Sequence, residues 1–348
     1  MEMKDDVLIE VKHLKKYFLK SQGLLSTLFR EDKGYIKAVD DVGFSIRRGE
    51  AFCVSGESGC GKTTLGKTIL KLIEPDEGQI IYRGEDIAPL EPKEMRKWRT
   101  KMQIIFQDPY ESLDPRAKVY DSISEPLIVN RLVKSYSETR ERVMQALELA
   151  GLVPVENYIY KYPHNLSGGE RQRVGIATAL ALEPEFIVAD EPSSMLDVSV
   201  QANLLALLKR LRKEKNLTFL FITHDLSVAY CFSDRQAIMY LGKIVEIGPT
   251  VELAASPIHP YTKALISVVP TIDRVKDQQP IVLRGETPNP DNIPPGCRFH
   301  PRCYCKVERC SVEEPKMVEY TPGHYAACWV QEEEKVKKGN ELCEKVIL

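Results

Sequence analysis

Gly56-Glu-Ser-Gly-Cys-Gly-Lys-Thr-Thr64 fits the pattern G-x-x-x-x-G-K-[ST] at Gly56, Gly61, Lys62 and Thr63. The apolar run before it, Glu50-Ala-Phe-Cys-Val-Ser55, reads as a short buried strand, and Leu65 to Ile73 after it reads as a helix. Strand, loop and helix in that order make a phosphate cradle. Gly56, Gly59 and Gly61 let the backbone turn tightly enough to aim N–H groups at phosphate oxygens, and the helix start adds a favourable dipole. Ser58, Cys60 and Thr64 join through the loop backbone, Lys62 brings positive charge to the β and γ phosphates, and Thr63 offers a hydroxyl to Mg²⁺. A chance glycine-rich turn does not account for the whole pattern in this context.

The chain has 348 residues, enough for one large domain and a smaller one, and its net charge is −2. That balance gives no electrostatic footprint for nucleic acid. No stretch approaches the roughly 18 consecutive apolar residues of a membrane span, and the N-terminus lacks the apolar segment of a signal peptide. A cytoplasmic location is therefore expected. Of nine cysteines, five lie between Cys297 and Cys328; in a reducing compartment such crowding points to metal rather than to disulfides.

Several strand ends carry chemistry. Met102 to Phe106 reads as a strand ending at Gln107, whose amide can reach a metal or a water; alone, it reads equally as a turn residue. Val119 to Gly151 reads as helical. Leu166-Ser-Gly-Gly-Glu170 opens another long helix: Ser167 caps it, Gly168 and Gly169 expose N–H groups, and Glu170 follows. The chain thus has two anion-binding helix starts. Phe186 to Ala189 reads as a buried strand ending in Asp190, placed for Mg²⁺, and Glu191, placed to orient or deprotonate a water. Leu217 to Ile222 is a further buried strand leading to His224, which reads as a γ-phosphate contact, and Arg235 to Met239 and Lys243 to Ile247 are expected to finish the sheet. Tyr17 is the choice of platform for an adenine ring, with Tyr35 as its competitor.

The phosphate loop, Gln107, Leu166 to Glu170, Asp190-Glu191, Asp197 and His224, in this order and spacing, resemble the ATP-binding subunit of an ABC transporter from Val7 to about Val251. The resemblance implies an α/β fold: a RecA-like P-loop nucleotide-binding domain over 1–255, with an antiparallel β subdomain and an α-helical signature subdomain at about 108–182. It further implies that two such domains pair head to tail, with Ser167 to Glu170 of one facing the ATP of the other and Asp197 at the interface. Gln107 then joins Thr63 and Asp190 around Mg²⁺ and links the nucleotide to the helical subdomain, and Glu191, His224 and Gln107 form the catalytic set.

Beyond Gly248, Ser256 to Leu265, Arg284-Gly-Glu286 and Pro295-Gly-Cys-Arg-Phe-His-Pro-Arg-Cys303 look like the C-terminal extension of the oligopeptide and dipeptide importers, here 256–330, followed by a charged tail at 331–348 read as mobile. The resemblance is closer to the F-type ATPase than to its D-type partner. It implies a related ATPase as partner in a heterodimer, two permease subunits, an extracytoplasmic substrate-binding protein, and a peripheral place on the cytoplasmic face of the membrane. Oligosaccharide import is an alternative within the subfamily. A soluble ABC ATPase acting on nucleic acid or ribosomes would need a coiled-coil insertion or a second cassette, and neither is seen.

Cys297, Cys303, Cys310 and Cys328 sit in a stretch rich in Pro, Gly and Arg with little material for a core, so a staple is expected. Their spacing fits neither the usual zinc pattern nor the usual ferredoxin run, and Zn²⁺ and a [4Fe–4S] cluster both stay open on the residues alone. The resemblance favours [4Fe–4S] on these four, with Cys305 as an extra thiol. Cys53 and Cys231 read as core residues.

Overall fold

The computed structural model describes residues 6–20, 34–269, 280–286 and 288–333. The charged tail beyond residue 333, and most of the insertion expected between Leu19 and Lys37, lie outside them. The chain gathers into two compact units, one from the described residues up to Ile9 with Ser45–Ala51 and Ile81–Ile222, the other from those of Glu10–Phe44, Phe52–Ile80 and Thr223 onward.

In the first unit, the strands Met102–Ile105, Phe186–Asp190 and Thr218–Thr223 run parallel, with Ile105 opposite Ala189 and Asp190 opposite Ile222. Phe186–Asp190 is buried at every residue, as a parallel strand covered on both faces must be, which is why it reads as one apolar run. Parallel pairing also brings the strand ends to one edge, so Gln107 and Asp190-Glu191 emerge side by side. Three helices pack together beside them: Val119–Val129, Tyr136–Leu149 and Gly168–Ala181. The helical pattern read from Val119 to Gly151 is broken between residues 129 and 136. Arg131 takes a left-handed turn (φ 56°), and Ser135 caps the second helix by accepting from the Glu138 amide. That second helix buries Thr139, Val143, Ala146 and Leu147, a single stripe at helical spacing.

In the second unit, the strand Ala51–Ser55 runs parallel to Arg235–Tyr240, with Ser55 opposite Ile238. Arg235–Tyr240 pairs antiparallel with Lys243–Pro249. That last strand does not finish the sheet: its far edge takes His324–Ala326, which in turn pairs with Val318–Thr321. The C-terminal segment also enters the core. Ile238, Tyr240, Leu241, Val245, Leu253, Tyr261 and Phe299 form one buried cluster. Phe299 lies 5.4 Å from the Tyr240 ring and 5.3 Å from the Tyr261 ring, contacts that add about 0.5–1.5 kcal/mol each to the burial itself. Beside the cluster, buried Glu246 accepts hydrogen bonds from the Ile258 and His259 amides and meets the His324 imidazole, all at 2.8 Å.

Candidate functional site

The phosphate loop follows Ser55 directly and packs tightly on its own unit. Gly56 (φ 155°) and Gly61 (φ 107°) leave no room for a side chain, since a Cβ would lie 2.2 Å from the Met239 carbonyl oxygen and 1.9 Å from that of Ala38. At Gly59 (φ 76°) nothing lies within 4 Å of the same position, so the open face of the loop is there. Lys62 begins the helix Lys62–Ile69; it is buried, and its ammonium donates to the Gly56 and Glu57 carbonyls at 2.9 Å each. A buried cation held by neutral carbonyls retains its full charge for an anion, and such a cradle suits polyphosphate. Cys60 turns its thiol into the core, so only its backbone faces the loop interior.

Two residues of the C-terminal segment reach this loop. The Arg302 guanidinium grips the Glu57 carboxylate with both nitrogens, at 2.7 and 3.1 Å, and the Tyr261 hydroxyl accepts from the Glu57 amide at 3.0 Å. Neither contact was foreseen from sequence, because nothing local marks residues more than 200 positions apart as neighbours. Tyr17, half-buried, donates its hydroxyl to Asp40, and Asp40 in turn accepts from Arg298, which also donates to the Leu241 carbonyl. Burial works against the Asp40 carboxylate, yet Tyr17, Arg298, Lys243 and Lys37 outweigh it and hold its carboxyl below the usual range. The competing platform, Tyr35, is exposed and lies on the strand Tyr35–Arg47. His224 is exposed, just ahead of Asp225, which caps the helix Leu226–Phe232.

In the other unit, Gln107 Nε2 lies 3.4 Å from Glu191 Oε2. Asp190 is buried, whereas Glu191 sits in the left-handed region (φ 43°) with its amide donating to the Ile222 carbonyl at 2.9 Å. A non-glycine residue held there is strained, a condition that concentrates at working sites. At the second helix start, Ser167 and Glu170 form a reciprocal capping box: the Glu170 carboxylate accepts from the Ser167 amide at 2.7 Å, and the Ser167 hydroxyl accepts from the Glu170 amide at 3.3 Å. These bonds lower the Glu170 pKa. Ser167 is exposed, and Gly168 and Gly169 open the helix beside it. A side chain at Gly169 would meet Val200 Cγ1 at 2.8 Å. The Gln172 amide ties this helix to the strand end at the Phe106 carbonyl, 3.1 Å away, one residue before Gln107. Asp197 is exposed, at the start of the helix Val198–Lys215.

The cysteine expectation is corrected. Among the described residues no group of three or more His, Cys, Asp or Glu is arranged to hold a metal ion, so Cys297, Cys303, Cys310 and Cys328 carry neither the [4Fe–4S] cluster nor the Zn²⁺ expected of them. Cys297 and Cys303 pack instead as small hydrophobes against the Phe299 cluster, and Cys310 and Cys328 are buried. Burial pushes the Cys297 and Cys328 thiols up to about 11 and Cys303 up to about 12, beside Cys305 at 3.7 Å. The staple this segment requires is aromatic packing together with the Arg298–Asp40 and Arg302–Glu57 ion pairs. Cys53 is buried as expected, while Cys231 is exposed.

Comparison with known proteins follows the same division. The family model described as ABC transporter matches residues 39–194, and that described as oligopeptide/dipeptide transporter, C-terminal region, matches residues 245–310. YkfD of Bacillus subtilis (strain 168) is 46% identical over 333 residues, which are 95% of this chain and 98% of that protein. AppF of the same organism, named an oligopeptide transport ATP-binding protein, is 45% identical over 93% of this chain and 97% of its own length. The ATP-binding cassette MJ0796, solved as a dimer in a post-hydrolysis state bound to ADP and Pi, aligns with a TM-score of 0.61 at 30% identity, covering 70% of this chain and 98% of that one. The fold is the ABC ATPase cassette, and the chain belongs to the ABC transporter ATP-binding proteins of the oligopeptide and dipeptide branch.

Proposed function

We propose that this chain is the ATP-hydrolysing subunit of an importer of di- or oligopeptides, working on the cytoplasmic face of the membrane with a related ATPase, two permease subunits and an extracytoplasmic binding protein. No helix among the described residues is long and apolar enough to cross a membrane, so in this reading the conduit lies on other chains. The observation that carries the proposal is the presence, in one chain, of a cassette match and a peptide-transporter C-terminal match, with 46% identity to YkfD across nearly the whole length of both proteins.

The site residues take their roles from chemistry. Lys62 and the backbone N–H groups from Ser58 to Thr64 hold the phosphates, and Tyr17 supports the adenine ring. The oxygens of Thr63 and Asp190 and the amide oxygen of Gln107 are hard donors of the kind Mg²⁺ prefers, so the residues fit that ion; when bound it neutralises phosphate charge. Glu191 orients the attacking water and takes its proton, His224 contacts the γ phosphate, and Ser167 to Glu170 serve the nucleotide of the partner ATPase, with Asp197 at that interface. The antiparallel β subdomain, the helical subdomain and the C-terminal extension belong to the same proposal.

Uptake of a radiolabelled tripeptide tests it. Cells lacking this chain should lose uptake and regain it with the wild-type chain but not with Lys62→Ala. Uptake of an oligosaccharide with the same dependence would change the cargo, and uptake of both solutes without the chain would overturn the assignment.

A further inference from the structure

The C-terminal segment does more than cover the sheet: it holds both ends of the expected nucleotide. Glu57, the second residue of the phosphate loop, is fixed at three points. Its carboxylate is gripped by Arg302, its amide donates to the Tyr261 hydroxyl, and its carbonyl accepts from Lys62. Two of those three contacts come from beyond residue 255. The Arg302 side chain is 9% exposed and the Glu57 side chain 25%, so the bidentate pair is largely withdrawn from water, where charge-assisted hydrogen bonds keep their directionality. At the other end, Arg298 binds Asp40 and Asp40 accepts from the Tyr17 hydroxyl, with the Arg298 and Asp40 side chains 6% and 9% exposed. Arg298 and Arg302 are four residues apart around Phe299, which is locked in the aromatic cluster, so one rigid anchor serves both arms.

We propose that Arg302 and Arg298 are positioning residues for ATP: Arg302, through Glu57, presets the phosphate loop, and Arg298, through Asp40, presets the Tyr17 ring for adenine. The inference rests on the ATP reading above and adds to it a division of labour between two arginines of the C-terminal segment. Neither arginine touches the nucleotide. Each removes freedom from a group that does, so the effect falls on binding rather than on the chemical step.

The test is competition binding on the full chain with two probes, Mg-ATP and inorganic tripolyphosphate, together with steady-state ATPase kinetics. Arg302→Gln should weaken both probes about tenfold, because the phosphate end is what it presets. Arg298→Gln should weaken Mg-ATP by a similar factor and leave tripolyphosphate unchanged. In both variants KM should rise while kcat at saturating ATP holds within about twofold, and Arg302→Lys should recover part of the loss. Tyr17→Phe keeps the ring and the fold but frees it from Asp40; it should weaken Mg-ATP about threefold and tripolyphosphate not at all, which covers the case in which Arg298→Gln does not fold. Equal effects on both probes from Arg298→Gln or Tyr17→Phe, or wild-type affinities in Arg302→Gln, would overturn the proposal while leaving the ATP reading intact. Failure of the wild-type chain to bind either probe would overturn both.

Discussion

Acidification from pH 7 to pH 4 is expected to loosen the C-terminal segment through one side chain, His259. Its imidazole is 1% exposed, stacked at 5.6 Å from Phe299, and its Nδ1 accepts from the Tyr261 amide at 3.1 Å. Burial drives its pKa down from 6.5 to about 4; the Glu246 carboxylate pulls the other way, and Lys263 adds to the lowering. The neutral ring is therefore the folded form, whereas the unfolded chain takes up the proton at its ordinary value. Between those two pH values the unfolded state binds more protons, so stability falls as pH falls through that window and the contribution is gone below it. The whole gap corresponds to about 3 kcal/mol, a large share of a typical folding free energy. Urea titrations at half-unit pH steps, followed by the emission of Trp329, whose indole is held by the Glu313 carbonyl at 2.9 Å, would read it. Comparison with His259→Asn isolates the term from the other acids: the wild-type midpoint should drop more steeply between pH 6.5 and 4 than the variant's. Parallel curves would refute the reasoning.

Phe299→Ala should cost about 3–5 kcal/mol in the same urea assay, because the ring is 1% exposed at the centre of the aromatic cluster. Gly61→Ala should cost on the order of 3 kcal/mol or more and abolish nucleotide binding, since its Cβ would collide with the Ala38 carbonyl, while Gly59→Ala, with open space around it, should cost only about 1–2 kcal/mol of backbone strain; thermal melts of both variants would show the difference. Glu170→Ala removes one arm of the capping box and should destabilise the Gly168–Ala181 helix by about 1 kcal/mol, measured as faster amide exchange at its first turn.

Much of this was legible in the sequence, for identifiable reasons. Phe186–Asp190 and Ala51–Ser55 are buried on both faces, and a strand that must be apolar throughout cannot hide its pattern. The glycines of the phosphate loop carry their own steric argument, and the Ser167–Glu170 spacing is a capping box on its face. The hairpin Val318–Thr321 and His324–Ala326 went unread, although its alternation and the Pro322-Gly323 turn, with Gly323 at φ 77°, were visible signals. Arg298 and Arg302 had none, because ion pairs across more than 200 residues leave no local trace. The cysteines misled for a related reason. Spacing along the chain says nothing of separation in space, and here the need for a staple is met by Phe299 and the two arginines.

The central claim is that this chain hydrolyses ATP with Glu191 as its base. The direct measurement is single-turnover hydrolysis of γ-labelled ATP by the wild-type chain and by Glu191→Gln, with bound nucleotide quantified in parallel. The account predicts that the variant retains ATP at wild-type occupancy while the cleavage rate falls by about 10²–10⁴-fold. Cleavage by Glu191→Gln at a near wild-type rate would contradict it.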